Sequence, residues 1–355
     1  MFNASRLAIA RKRRQLTKKE LAEKAGLSAL TVTRLERGDT PEPSVETVES
    51  LAVALAFPVG FFSLDECEQL TAEAVSFRSL SALTARQRDA ALAAGPIAFM
   101  FDDWVAKRFD LPEPDLVDLR DEKPLAAAEA LRGHWGIGSK PVTHMIKLLE
   151  SKGVRVFALS ERHKNVDAYS LWRDGVPYMF LNTFKSAERS RYDAAHELGH
   201  LVLHIHGAGG SRDVEREADA FASAFLINRG DLIGNLHRVS SLTQLLEAKG
   251  RWGVSISALA RSAFETGLIS DWHYRELCKK MSYLGYRTNE PNTRAREKSI
   301  LWRMVFDSLW KDGVTRTSIS SALSLPPDEI ESLVGQLVAE EIESGPQTRQ
   351  PLRMV

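Results

Sequence analysis

Cysteine is nearly absent from this chain: Cys67 and Cys278 are the only two among 355 residues, far apart and without paired spacing. That excludes a disulfide framework and a zinc site built on thiolates. Long apolar runs are missing as well. Although 44% of the residues are apolar, no stretch approaches the roughly 20 residues that a membrane-spanning helix needs. The start is polar and Arg-rich, unlike a secretory leader. A cytoplasmic protein with no signal peptide, no anchor and no membrane partner is therefore expected. Net charge is lacking too, since 47 Lys and Arg balance 47 Asp and Glu. Any surface for nucleic acid must then be local. Repeats and low-complexity tracts are not visible, and the length predicts two or three domains.

Such a local surface stands at the start. Up to Thr40 there are ten Lys or Arg against four acids, an excess of six that suits a phosphate backbone. Residues 5 to about 65 read as five short helices: Arg6 to Arg14, Lys18 to Ala25, Ala29 to Arg37, Val45 to Leu55 and a brief turn near Phe61. Thr17 with Glu20 makes a capping box, Gly26 supplies a tight turn and Ser28 caps the third helix. This is a helix-turn-helix layout. Its third helix would enter the major groove, with Ala29, Leu30, Thr33 and Arg34 toward bases, Lys18, Ser28 and Arg37 toward phosphates, and Val32 and Leu35 inward. One such unit binds DNA weakly, so a homodimer or a symmetric double-stranded operator is implied.

The most informative stretch is His196-Glu197-Leu198-Gly199-His200. Histidines at i and i+4 project from one helix face about a turn apart, so both imidazoles can reach a common metal. A glutamate directly after the first can take a proton from water activated by that metal. The context suits a helix: Val154 to Leu159, Ala168 to Arg173 and Tyr178 to Asn182 read as strands, the last two joined across Asp174-Gly175. From Ser186, a plausible N-cap, to about Ile205 the pattern is helical.

Hydrolysis needs three protein ligands and one open position, so a third ligand must lie downstream. His206 follows His196 by ten residues, as in an extended motif whose turn requires a glycine; here that position is Leu203. The other candidate lies on a helix expected to start at Asp213 as N-cap, with an apolar stripe through Ala218, Phe221, Ala222 and Phe225. Glu215 and Asp219 share one face there, so Glu215 can ligate while Asp219 fixes a histidine through its ring N–H. Glu217 should face elsewhere. His204 is expected as a hydrogen-bonded neighbour, because a fourth protein ligand would close the site.

Leu21-Ala22, Ala25-Gly26-Leu27-Ser28, Leu35-Glu36-Arg37-Gly38 and Pro43-Ser44 resemble the Cro/C1-type (XRE) helix-turn-helix family. Ala195-His196-Glu197-Leu198-Gly199-His200, followed by Glu215, Glu217-Ala218 and Phe221-Ala222, is similar to the ImmA/IrrE family of metallo-endopeptidases. The resemblance implies a gluzincin-like zinc endopeptidase that cuts a helix-turn-helix repressor or antitoxin, relieving repression under stress or during mobile-element induction. By position it makes His196, His200 and Glu215 metal ligands and Glu197 the general base. One departure is Asn228, where many relatives carry a proline close by.

The expected fold is mostly α with a small α+β zincin-like domain: a five-helix DNA-binding module, a three-stranded sheet packed with the metal-binding helices, and a helical C-terminal tail. The expected division is 1–66 for the helix-turn-helix, 67–123 for a helical connector, 124–292 for the peptidase domain with its tail, and 293–355 for a C-terminal helical unit. In that last part, Gly313-Val314 through Leu325-Pro326-Pro327-Asp328 reads as two short helices with a turn. Substrate is expected to lie antiparallel along an edge strand near Tyr178 to Asn182, and Tyr192 is one candidate oxyanion donor. The ion is expected to be Zn2+, although two imidazoles and a carboxylate also accept Mn2+ or another divalent ion. The competing class is a transcriptional regulator whose zinc domain senses or dimerises with little or no proteolysis.

Overall fold

The computed structural model describes residues 1–71, 75, 83–159, 168–204, 211–236, 239–286 and 288–338. The N-terminal module comprises α1 (Ala4–Arg13), α2 (Lys18–Ala25), α3 (Ala29–Arg37), α4 (Val45–Leu55) and a 3-10 turn at Val59–Ser63. Its local signals act as expected. Thr17 and Glu20 form the capping box, Ser28 caps α3 through the amide of Thr31, and Gly26 closes α2 at φ +67°, a conformation that favours glycine. Leu7, Leu21, Val32, Leu35, Leu51, Leu55 and Phe61 are buried together at its centre.

The long α5 (Ala85–Ala106) begins with a second capping box, Thr84 with Gln87. Small and apolar residues surround it, and Ala90, Ala91, Ala94, Ile97, Ala98 and Phe101 are buried. A stretch apolar on all sides must be covered on all sides, and the middle of α5, Ala90–Phe99, is buried throughout, the helix packing against α1 and also against β1 (Arg155–Leu159).

Between them run α6 (Pro124–His134) and α7 (Met145–Ser151), followed by β2 (Tyr169–Arg173) and β3 (Val176–Asn182). The sheet order is β1-β3-β2, with β1 parallel and β2 antiparallel to β3. Asp174 and Gly175 both take positive φ, 50° and 78°, the geometry of a two-residue hairpin that follows the strand twist. This order corrects the expectation of an edge strand at Tyr178 to Asn182. Tyr178 pairs with Arg155 on one side and with Leu171 on the other, so the β3 backbone has no free ladder for a substrate. Its unbroken burial, Pro177 to Asn182, is the mark of a central strand.

Helices α8 (Ala187–Leu203) and α9 (Arg212–Leu226) follow and pack tightly on each other, with α8 also lying on β2 and β3. Ser211, not Asp213, is the N-cap of α9: its hydroxyl accepts from the amide of Val214. Asp213 sits in the first turn, where its charge still suits the helix dipole. Asn228 caps α10 (Arg229–Asn235) through the amide of Asp231, which accounts for an asparagine near a helix exit.

Three further helices, α11 (Leu242–Trp252), α12 (Ile256–Glu265) and α13 (Asp271–Tyr283), precede an extended strap, 288–299. The strap is clasped to the body. Glu297 accepts from the amides of Met145 and Ile146 at 2.6 and 3.0 Å, capping α7, and forms an ion pair with the buried Arg191. In return Glu150 of α7 accepts from the amides of Ile300 and Leu301 at 2.9 and 3.0 Å, at the start of α14 (Leu301–Lys311). Trp302 then donates its indole N–H to the carbonyl of Val156 in β1 at 2.6 Å.

The chain ends, among the described residues, with α15 (Arg316–Leu323), α16 (Pro327–Val334) and a 3-10 turn, the expected pair of short helices about a turn. Helix α16 packs on β1 and α5 and meets the N-terminal module. Arg13 pairs with Glu329 at 2.8 Å and Arg14 with Asp328 at 2.7 Å. The assembly is mostly α, with a small three-stranded mixed sheet.

Candidate metal centre

Helix α8 carries His196 and His200 one turn apart, and α9 brings Glu215 against them. His196 Nε2 and His200 Nε2 are 3.1 Å apart. Glu215 places Oε2 at 3.4 Å from the first and Oε1 at 3.8 Å from the second. Four tetrahedral ligands at about 2.0–2.1 Å from zinc lie about 3.3–3.4 Å from one another, so this triangle fits a divalent cation. Among the described residues these three form the one cluster of its kind.

The close approach of the two helices depends on Gly199. A Cβ there would stand 3.1 Å from Phe221 Cδ1 and 3.3 Å from the Ala218 backbone. Glycine removes that obstacle, and the apolar stripe of Ala218, Phe221, Ala222 and Phe225 is buried, which turns Glu215 toward the histidines.

Each imidazole is oriented from behind. Asp219 accepts from Nδ1 of His196 at 3.0 Å, and Tyr192 donates its hydroxyl to Asp219 at 3.2–3.3 Å. His200 Nδ1 lies 3.0 Å from His204 Nδ1, whose Nε2 lies 3.1 Å from Glu217 Oε2. Such partners fix the tautomer that leaves Nε2 facing an ion. Glu217 does face away from the triangle, toward His204. Burial and the charge of Asp219 push Tyr192 well above the ordinary phenol range, and a hydroxyl with its one proton committed to Asp219 is a poor oxyanion donor.

Electrostatics distinguish the two histidines. For His196 burial opposes protonation, but hydrogen bonds to Asp219 and Glu215 and the nearby Glu197 outweigh it and raise its pKa to about 10. His200 falls well below the usual value because of burial, then of His196 and His204. With no cation bound, one proton on His196 stands in for positive charge among the carboxylates.

Glu197 is buried, and its Oε2 accepts from the Ser170 hydroxyl of β2 at 2.8 Å. Close by, Lys185 and Arg189 approach Asp193 at 3.0 and 2.8 Å. Burial lowers the Lys185 ammonium pKa against the pull of Asp193. No local sequence signal marks Ser170, which sits on a strand of ordinary alternation. His206, the other ligand candidate, lies outside the described residues.

At the N-terminal module Ser28, Ala29, Leu30, Arg34 and Arg37 are exposed along α3. Thr33 is half-buried and its hydroxyl donates to the carbonyl of Ala29 at 2.8 Å. Lys18 lies 3.2 Å from Glu36. Several of the ten counted cations serve the protein itself: Arg6 bonds the carbonyl of Asp65, Arg11 shares Glu36 with Lys18, and Arg13 and Arg14 hold α16. The basic face is narrower than the count implied.

Comparison with known proteins agrees with both halves. Residues 4–60 match the model of a helix-turn-helix domain. Residues 149–263, which include the histidine pair and Glu215, match the IrrE N-terminal-like domain of the M78 peptidases. No curated protein matches the chain. No helix among the described residues is long and apolar enough to cross a membrane. The chain thus joins an XRE-type helix-turn-helix module to a metallopeptidase-like domain of the ImmA/IrrE type.

Proposed function

We propose that this DNA-binding regulator is a metal-dependent endopeptidase that cleaves a regulatory protein, a helix-turn-helix repressor or an antitoxin, and so switches transcription in a stress response. The observation that carries this reading is the convergence of His196, His200 and Glu215 beside a buried glutamate. A structural cation has no need of that extra acid.

In this reading His196, His200 and Glu215 hold the ion, which we take to be Zn2+, with Mn2+ as the other candidate. When bound, it supplies Lewis acidity toward a carbonyl oxygen and makes water easier to deprotonate. Glu197 Oε accepts the proton from water and returns it to the departing amide nitrogen. Asp219 keeps the Nδ1 proton of His196 in place, and His204 does the same for His200, so neither ring turns during the cycle. Ser28, Ala29, Leu30, Thr33, Arg34, Arg37 and Lys18 form the DNA face, which brings the protease to the operator where its target sits, as a homodimer on a symmetric site.

The test compares cells carrying the wild type with cells carrying Glu197→Gln, together with metal analysis of both proteins. The variant should keep its ion while the substrate persists, and a repressor that disappears only with the wild type identifies the target. A second reading, a regulator whose metal domain is a sensor, draws support from the Arg13–Glu329 and Arg14–Asp328 pairs that tie the DNA module to the body. Unchanged regulation by Glu197→Gln would establish that reading instead.

A further inference from the structure

Beside the metal centre lies a trough of about 1060 Å³ between the start of α8, one face of α9, and helices α12 and α13. Glu188, Arg189 and Tyr192 of the ligand helix line it together with Asp219, and Asp219 backs His196 at Nδ1, so the trough runs along the ligand helix on the Nδ1 side of that ring. We propose that it is the binding site for one side of an extended peptide substrate, and that it selects a peptide with an acidic side chain near the bond to be cut. This rests on the hydrolase reading above.

A trough open along one side suits a chain segment, because small-molecule pockets enclose most of their ligand. With β3 paired on both sides, an extended peptide cannot add to that strand. The lining of the trough is mixed. Tyr274, Met281 and Tyr286 offer apolar surface, and Lys185, Arg189 and Arg261 supply cations beside three carboxylates, of which Glu188 and Glu290 are engaged by Lys249 and Asp219 by His196. Those arginine side chains stay 54% and 61% exposed although they pair with Asp193 and Glu265. The Arg261–Glu265 pair is exposed on both sides and therefore weak, and the buried Asp193 keeps Lys185 at 3.0 Å when Arg189 turns away, so an incoming carboxylate can compete for either guanidinium.

The walls are fixed before any peptide arrives. Glu290 in the strap accepts from the amide of Ile256 at 2.8 Å and pairs with the buried Lys249 at 2.6 Å. Lys249 reaches Glu188 of α8 at 3.2 Å, and the amide of Arg294 donates to the same carboxylate at 3.1 Å. One buried ammonium thereby joins α8, α11 and the strap. A preformed trough lowers the ordering cost of binding a flexible chain.

The experiment uses a tryptic peptide pool as probe with the full-length, metal-loaded protein. Cleaved bonds, read by mass spectrometry, should show Asp or Glu enriched within about three residues on one side. Arg261→Glu and Arg189→Glu should each reduce that enrichment about fivefold, the worth of one partly exposed ion pair, and Arg261→Gln should reduce it without reversing charge. In a parallel arm, immobilised Glu197→Gln protein should retain acidic peptides, and the added Arg261→Glu change should release them. Cleavage with no acidic preference, or with a preference the variants leave unchanged, overturns the proposal and leaves the hydrolase intact. Retention without cleavage supports the trough and removes the hydrolase. Neither retention nor cleavage removes both.

Discussion

Ser170 donates its hydroxyl proton to Glu197 Oε2 at 2.8 Å across the contact between β2 and α8. The Ser170 Oγ also lies 3.2 Å from the Glu197 carbonyl oxygen, so one small side chain addresses both the backbone and the acid of the histidine motif. A carboxylate held this way is aimed before substrate binds. Ser170→Ala should lower kcat about tenfold while KM and metal content stay the same. Equal losses in metal content and kcat would show that the serine merely supports the fold.

Asp219→Asn should weaken metal affinity about 10–100-fold, since it removes the charge behind His196. A competition titration with a chromogenic chelator reads this directly. Metal-saturated variant should regain most of its activity, which separates loss of the ion from loss of chemistry.

Metal binding should depend on pH with a definite sign. The metal-free His196 keeps its proton up to a pKa of about 10, and a cation must displace it. Affinity therefore rises with pH, about tenfold per unit between roughly pH 7 and 9. Calorimetry in buffers of different ionisation enthalpy should count about one proton released per ion near pH 7.5. The metal-free fold runs the other way. A histidine raised above its unfolded value of about 6.5 stabilises fully below that value, and its contribution fades as pH climbs through about 10.

Gly199→Val places a branched side chain where even a Cβ meets Phe221 at 3.1 Å. The pair α8 and α9 must part, at a cost of about 1–3 kcal/mol for the overpacking. Glu215 moves with α9, so metal affinity should fall together with the melting temperature. A variant that melts lower yet binds metal as before would disconnect the two.

Glu329→Ala removes the carboxylate that pairs at 2.8 Å with the guanidinium of Arg13, a side chain 6% exposed. Losing one partner of a buried pair costs about 3–5 kcal/mol. Calorimetric unfolding should shift down and broaden as the N-terminal module loosens from α16. Unfolding that keeps a single sharp transition at the original temperature would refute this.

How much of this was legible beforehand depended on how far apart the partners lie in sequence. The capping box of Thr17 and Glu20, the Asp174-Gly175 hairpin and the spacing of His196 and His200 are local devices, and each formed as read. The start of α9 was misread by two residues because Asp213 and Ser211 are both good caps, and only the backbone geometry decides between them. The place of β3 at the centre of the sheet was hidden because its pairing with β1 is a crossover that no local pattern records. Arg13 and Arg14 looked like part of a DNA footprint for the same reason: their partners Asp328 and Glu329 are more than 300 positions away. Proximity of Glu215 to the histidines followed from two helical faces taken together, whereas Ser170 touches Glu197 through a strand whose facing could not be deduced.

The reciprocal clasp of Glu297 on α7 and Glu150 on α14 sets a practical boundary. A fragment trimmed to the matched segment 149–263 would strand the guanidinium of Arg191 in an apolar interior with no counter-ion and expose the indole pocket of Trp302. The matched segment is thus shorter than the piece these contacts hold together, and expression of 149–263 alone should yield insoluble material whatever metal is added.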